Sequence, residues 1–178
     1  PLNTFIRLFL MGLEVTVEAA GGAFPGSLLD ELLRTDILSV SDGRVRGLVQ
    51  MDVHDSTFTA SDLPARAGGT PADTVMAVVG TTLLLSDVTL RRSFANALDL
   101  GTGTGYLAVK ASPHCQHITA VDKNPRAVAF ARFNADLNGI ENIETLAGDL
   151  FEPVKDKLFD FIFCNPPFAI SPDSKYMS

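Results

Sequence analysis

The stretch Ala97-Leu98-Asp99-Leu100-Gly101-Thr102-Gly103-Thr104-Gly105 opens as a short apolar run, breaks into three glycines at alternate positions, and gives way from Tyr106 to a helical pattern. Glycines this close together serve positions where a Cβ would clash, because φ must be positive or because a ligand lies against the backbone. A strand, such a loop and a helix N-terminus in succession form a nucleotide-binding crevice. The same succession also serves as a bare strand-to-helix turn, so the flanking sequence has to decide.

Downstream, strand and helix signals alternate in short units. His117-Ile118-Thr119-Ala120-Val121 reads as a second strand, and Asn124-Pro125 opens a helix with Asn as cap and Pro at the first helical position. That helix, through Ala127, Phe130, Ala131 and Leu137, ends near Gly139. Ile143-Glu144-Thr145-Leu146-Ala147 and Phe159-Asp160-Phe161-Ile162-Phe163-Cys164 supply a third and a fourth strand. Apolar strands alternating with helices predict a parallel sheet covered on both faces. The link between strands three and four, Gly148 to Leu158, has room for little more than one or two helical turns.

Upstream, residues 1–64 read as a separate small unit, 65–74 as a linker rich in Ala, Gly and Pro, and 75–178 as the main domain. Thr4 to Leu10 and Ser27 to Leu33 carry apolar residues at helical spacing, with Gly12 and Gly21-Gly22 as breakers and Ser27 as an expected N-cap. From Ile37 the period becomes two, and Asp42-Gly43 between apolar runs signals a hairpin. Helices followed by a hairpin resemble a winged-helix module. Residues 1–79 hold five arginines against ten acids, a net charge of −5, which favours a structural or substrate-orienting role over direct nucleic-acid contact.

The whole chain of 178 residues carries a net charge of −7, with 46% hydrophobic and 20% charged residues. Such a composition describes a globular protein and opposes a broad nucleic-acid grip. Cys115 and Cys164 lie far apart without metal-ligand spacing, so neither a disulfide framework, a zinc site nor another metal is expected, and a reducing, cytoplasmic setting fits. Phe5 to Leu13 is too short to span a bilayer, so no membrane partner is expected. The sequence carries no signal for an oligomeric state.

Together these units resemble the class I S-adenosylmethionine-dependent methyltransferases over about residues 75–168, and within them the small-domain N-methyltransferases that act on ribosomal RNA guanine amines or on release-factor glutamines. The loop has Gly-x-Gly-x-Gly after Asp99, whereas the dehydrogenase fingerprint would need glycine at Tyr106. The resemblance implies an α/β fold: a Rossmann-like parallel sheet of strand order 3-2-1-4, preceded by the winged-helix-like α+β unit. It implies S-adenosyl-L-methionine as cofactor, with Gly101, Thr102, Gly103 and Gly105 against its methionine half and Asp99 holding its ammonium. Thr82, in Gly80-Thr81-Thr82-Leu83, is the implied contact for the cofactor carboxylate.

Asp122 lies 21 residues beyond Gly101, where an acid can accept from both ribose hydroxyls, with Lys123 beside it. Asp149 and Leu150, at the end of strand three, are implied for the adenine pocket. Asn165-Pro166-Pro167-Phe168, at the end of strand four, is the most discriminating signal. Pro166 fixes Asn165 as extended, so that the Asn165 amide oxygen and the Pro166 carbonyl can accept from one planar NH2 group. Pro167 removes a competing donor and Phe168 can stack on the plane that carries the amine. Such acceptors suit an amine with a delocalised lone pair, on a nucleobase or a glutamine amide.

Phe168, where glutamine-directed members typically have Tyr, leans towards RNA as partner over protein. A base would have to leave its stack to enter. Two rival readings are a nicotinamide-dependent Rossmann oxidoreductase and a non-catalytic partner subunit of the same fold. The chain begins at Pro1 and stops ten residues after Phe168, which leads to the expectation of a fragment, inactive or unstable by itself, with its remaining strands elsewhere.

Overall fold

The computed structural model describes residues 1–64 and 71–166. The first helix, α1 (Leu2–Phe5), runs on into a wider π turn over Ile6–Leu10, and β1 (Val15–Thr16), α2 (Val17–Ala23), α3 (Gly26–Arg34), β2 (Leu38–Ser41) and β3 (Arg44–Gly47) follow. Three strands make an antiparallel sheet in the order β1-β3-β2, over a core of Leu8, Phe9, Val15, Leu38 and Val45. The expected hairpin turns at Asp42 and Gly43, both at positive φ (+51° and +70°), the combination that matches strand twist in a two-residue loop.

Two local expectations are corrected here. Ser27 does not cap α3: Pro25 holds the cap position in an extended conformation and places Gly26 as the first helical residue, with no side-chain cap bond. Gly21 and Gly22 do not break a helix but lie inside α2, whose start is fixed by the Thr16 hydroxyl accepting from Ala19 N at 3.1 Å. A good N-cap and burial of Ala20 outweigh the modest cost of glycine in a helix, about 1 kcal/mol per residue.

A second hairpin, β4 (Val49–His54) and β5 (Thr57–Asp62), has no counterpart in the sequence reading. The main sheet follows: α4 (Gly80–Val88), β6 (Phe94–Leu100), α5 (Tyr106–Ala111), β7 (Cys115–Asp122), α6 (Pro125–Leu137), β8 (Ile143–Ala147) and β9 (Phe161–Cys164). Its strands are all parallel in the order β8-β7-β6-β9, the expected 3-2-1-4 arrangement of a Rossmann-like α/β fold. The β8 to β9 crossing contains only a 3-10 turn, Glu152–Val154. One face of the sheet packs Phe94, Ala97, Ile118 and Phe163 against Tyr106, Leu107 and Ala108 of α5, and the other buries Leu98, Leu100 and Val121 with Val154.

Helix α6 begins and ends as its sequence predicts. The Asn124 side chain accepts from Arg126 N at 2.9 Å, and Ile140 N and Gly139 N close onto Ala135 O and Asp136 O in a Schellman arrangement. Two of its asparagines clasp the second hairpin. The Asn134 Oδ1 accepts from Ala60 N (2.7 Å) while its Nδ2 donates to Ala60 O (2.9 Å) and Thr104 O (2.8 Å). One turn on, Asn138 repeats the pattern with Phe58 N (2.9 Å) and Phe58 O (2.7 Å). An i, i+4 step rises about 6 Å along a helix and an i, i+2 step about 6.6 Å along a strand, so two amides one turn apart imitate a neighbouring strand for β5.

Candidate functional site

Parallel strands in register end together, so Leu100, Asp122, Ala147 and Cys164 reach the same edge of the sheet. In open α/β sheets that carboxyl edge, beside the strand where the connections reverse, is where ligands settle. Here it opens into a cavity of about 650 Å³, within the roughly 300–1,000 Å³ of ordinary ligand sites.

After Leu100 the chain turns back on β7: the amides of Gly101 and Thr102 both donate to Val121 O, at 2.8 and 3.0 Å. Gly101 (φ +72°), Gly103 (φ +55°) and Gly105 (φ +77°) all take the left-handed conformation. A Cβ on Gly105 would stand 2.9 Å from both the Cα and Cβ of Ala131, so this glycine lets α5 cross close to α6. At Gly101 and Gly103 no atom of the described residues, apart from the immediate chain neighbours, lies within 4 Å of where a Cβ would be, and both line the cavity with bare backbone.

Asp99 is buried behind this loop, 1% exposed, with its Oδ2 accepting from the Thr102 hydroxyl at 2.7 Å. Its Oδ1 has no hydrogen-bond partner among the described residues. Burial, opposed by the Thr102 hydroxyl and the nearby Ala108 amide and reinforced by the charge of Asp122, pushes the carboxyl up to about 7. A buried acceptor in this condition is suited to a cation.

Asp122 is held by two backbone donors, Gly103 N to Oδ2 and Asn124 N to Oδ1, each at 2.9 Å. Each oxygen keeps a lone pair for a further donor. Asp149 sits across the mouth in an ion pair with Lys123 (Nζ to Oδ2, 3.9 Å), and Leu150 follows at φ +48° with its side chain exposed. Asn165, half-buried at the end of β9, donates from Nδ2 to the Thr82 hydroxyl on the first turn of α4 at 2.9 Å.

Thr82, Gly101, Thr102, Gly103, Asp122, Lys123, Asp149, Leu150, Asn165 and Pro166 therefore share one cavity. Asp99 and Gly105 stand behind its wall, the one through Thr102 and the other through α6. Pro167 and Phe168, like residues 65–70 of the expected linker, lie outside the described residues.

Sequence reasoning missed the opposite wall, formed by Thr74 to Val79 ahead of α4. It is pinned from the hairpin. Asp62 N donates to Val75 O at 3.0 Å and the Asp62 Oδ2 accepts from Val75 N at 2.8 Å, while Arg126 of α6 pairs with the same carboxylate. Burial opposes ionisation of Asp62, but the bonds from Arg126 and Val75 outweigh it and hold the group below the ordinary carboxylate range. The available signal was an apolar run, Val75 to Val79, placed between polar residues and a helix start. Among the described residues no group of three or more His, Cys, Asp or Glu side chains is placed to hold a metal ion, and no helix is long and apolar enough to cross a membrane.

Comparison with known proteins bears on residues that form this cavity. A release factor glutamine methyltransferase of Thermodesulfovibrio yellowstonii is 45% identical over 75 residues, covering 40% of this chain and 26% of the relative. One from Geobacter sulfurreducens is 38% identical over 97 residues, covering 52% and 34%. A putative protein N5-glutamine methyltransferase of Methanocaldococcus jannaschii is 43% identical over 74 residues, covering 41% and 36%. The chain thus spans about a quarter to a third of the length of these relatives. Residues 77–177 match the methyltransferase small domain profile, and with more than half its length so matched the chain belongs to that family.

Proposed function

We propose that the chain is the cofactor-binding and acceptor-recognising part of an S-adenosylmethionine-dependent N-methyltransferase acting on a planar amide or amine. The observation that carries this reading is Asn165: it faces the cavity of Gly101, Gly103 and Asp122, and its Nδ2 is taken by Thr82, which leaves Oδ1 as an acceptor.

The residues fit the cofactor by donor chemistry. Bare backbone at Gly101 and Gly103 lets a ligand lie against the loop, and the spare lone pairs of Asp122 suit ribose hydroxyls. Asp99 would hold an ammonium, directly or through water, and Asp149 and Leu150 would border the adenine. Lys123 would keep Asp149 turned to the mouth. When bound, the cofactor supplies a methyl group on a positively charged sulfur.

Asn165 Oδ1 and the Pro166 carbonyl would accept the two hydrogens of one NH2 group and so fix the direction of its lone pair. Rate enhancement in such a site comes from positioning and preorganised dipoles, not from a strong base. In the sequence reading Pro167 and Phe168 complete the acceptor site. The acidic first unit, winged-helix-like in sequence, would orient the substrate.

Phe168 by itself leans towards RNA as substrate, whereas the names of the relatives and the acidic charge favour a protein glutamine amide. Titration of S-adenosylhomocysteine against NAD, followed by transfer to a glutamine-bearing peptide or to unmodified RNA, tests the proposal. S-adenosylhomocysteine is expected to bind and NAD not. Asn165→Ala is expected to lower transfer about 100-fold with cofactor affinity within threefold of the parent. Equal transfer by both proteins would remove Asn165 from the chemistry.

A further inference from the structure

An asparagine amide has two faces of opposite meaning. Turned one way, Asn165 offers Oδ1 to an incoming NH2 group; rotated by half a turn, it offers its own NH2 and repels the same substrate. A side chain that must accept from an amine therefore needs something to set its rotation. Among the described residues the Thr82 hydroxyl is such a neighbour: it accepts from Asn165 Nδ2 at 2.9 Å, across 83 residues of sequence, which leaves its own hydrogen to be given to another acceptor.

The neighbour is firmly placed. Thr82 lies on the first turn of α4, and its own amide donates to Val79 O at 2.9 Å. The adjoining Leu83 and Leu85 pack on the core cluster of Phe94, Tyr106 and Phe163. Asn165 follows β9, whose Cys164 is in register with Leu100. The hydrogen bond thus joins a helix start to a strand end, both anchored in the same sheet layer.

We propose that Thr82 is a positioning residue that fixes the amide rotation of Asn165, so that Oδ1 faces the cavity before substrate arrives. This rests on the methyltransferase reading for its consequence, though the orientation itself is a property of the folded chain. It assigns Thr82 a task directed at the acceptor side of the site, beyond the cofactor carboxylate contact implied by its position in the sequence.

The test is made in the natural full-length protein and compares the parent with Thr82→Val, which keeps the branched shape and removes the hydroxyl, and Thr82→Ser, which restores it. In 15N-labelled protein the Asn165 side-chain NH2 pair is assigned by its loss in Asn165→Asp. In the parent, one of its protons should exchange with water at least about fivefold more slowly than in Thr82→Val, the equivalent of one ordinary hydrogen bond, and Thr82→Ser should recover the slow exchange.

Transfer to a glutamine-bearing peptide, read at saturating cofactor so that any lost carboxylate contact does not enter the comparison, should fall about fivefold in Thr82→Val. Unchanged Asn165 signals in Thr82→Val would overturn the proposal, as would transfer equal to the parent's at saturating cofactor. A folded parent protein that fails to bind S-adenosylhomocysteine would sink the methyltransferase reading while the NH2 exchange still decides the role of Thr82.

Discussion

At the scale of the residue, Asp99 concentrates the electrostatic tension of the site. It is 1% exposed, one oxygen lacks a partner among the described residues, and burial has pushed it up to about 7. Because the folded value lies above the unfolded one, its contribution to stability is complete below about pH 4 and is lost as pH rises through 7. A rise of some three units corresponds to about 4 kcal/mol between those limits. The unliganded protein is therefore expected to lose stability from about pH 4 to about pH 7 and to level off above that. Asp99→Asn should abolish most of that slope, read as denaturant midpoint against pH, while weakening S-adenosylhomocysteine at least tenfold. Parallel pH profiles in the two proteins would contradict the assignment of the slope to Asp99.

At the scale of the element, α6 shows what a sequence discloses and what it hides. Its Asn-Pro start, its apolar Ala127, Phe130 and Ala131, and its Gly139 stop all obey local rules and were legible. The glycine loop and Asp122 were legible for the same reason, since a turn and a strand end depend on near neighbours. Asn134 and Asn138 read as ordinary polar residues, because nothing local tells an amide facing water from one standing in for a β-strand. Burial makes the difference measurable: Asn134 is fully enclosed and makes three bonds to backbone. Asn134→Ala would strand the Ala60 amide and two carbonyls, and is expected to cost about 2–4 kcal/mol in denaturant unfolding. A loss below about 0.5 kcal/mol would show that the hairpin does not need the clasp. The bond between Thr82 and Asn165 was hidden for the same physical reason: each residue was singled out separately, but only the tertiary fold brings a helix start to the end of β9.

At the scale of the whole molecule, the hairpin and the cavity form one mechanical unit. Asp62 ends β5, accepts from Val75 N in the cavity wall and pairs with Arg126 on α6, while Asn124 Nδ2 reaches back to Asp73 O at 2.7 Å. Strands formed early in the chain thereby set the distance between the wall at Val75 and the carboxyl edge of the sheet. Asp62→Asn keeps the shape and removes the charge. Arg126 remains about half exposed, so screening limits the pair, and the expected cost is about 1 kcal/mol. The folded value of Asp62 is held below the unfolded one, so its stabilisation is present above about pH 4 and disappears as pH falls through the folded value. Parent and variant should therefore differ in denaturant midpoint at pH 7 and converge in acid. If the wall is positioned through this pair, S-adenosylhomocysteine affinity at pH 7 should fall about threefold in Asp62→Asn and in Arg126→Gln, with no further loss in the double variant. Independent, additive losses would mean that the two residues act on the cavity separately, and an unchanged affinity in both would confine the hairpin to a structural part.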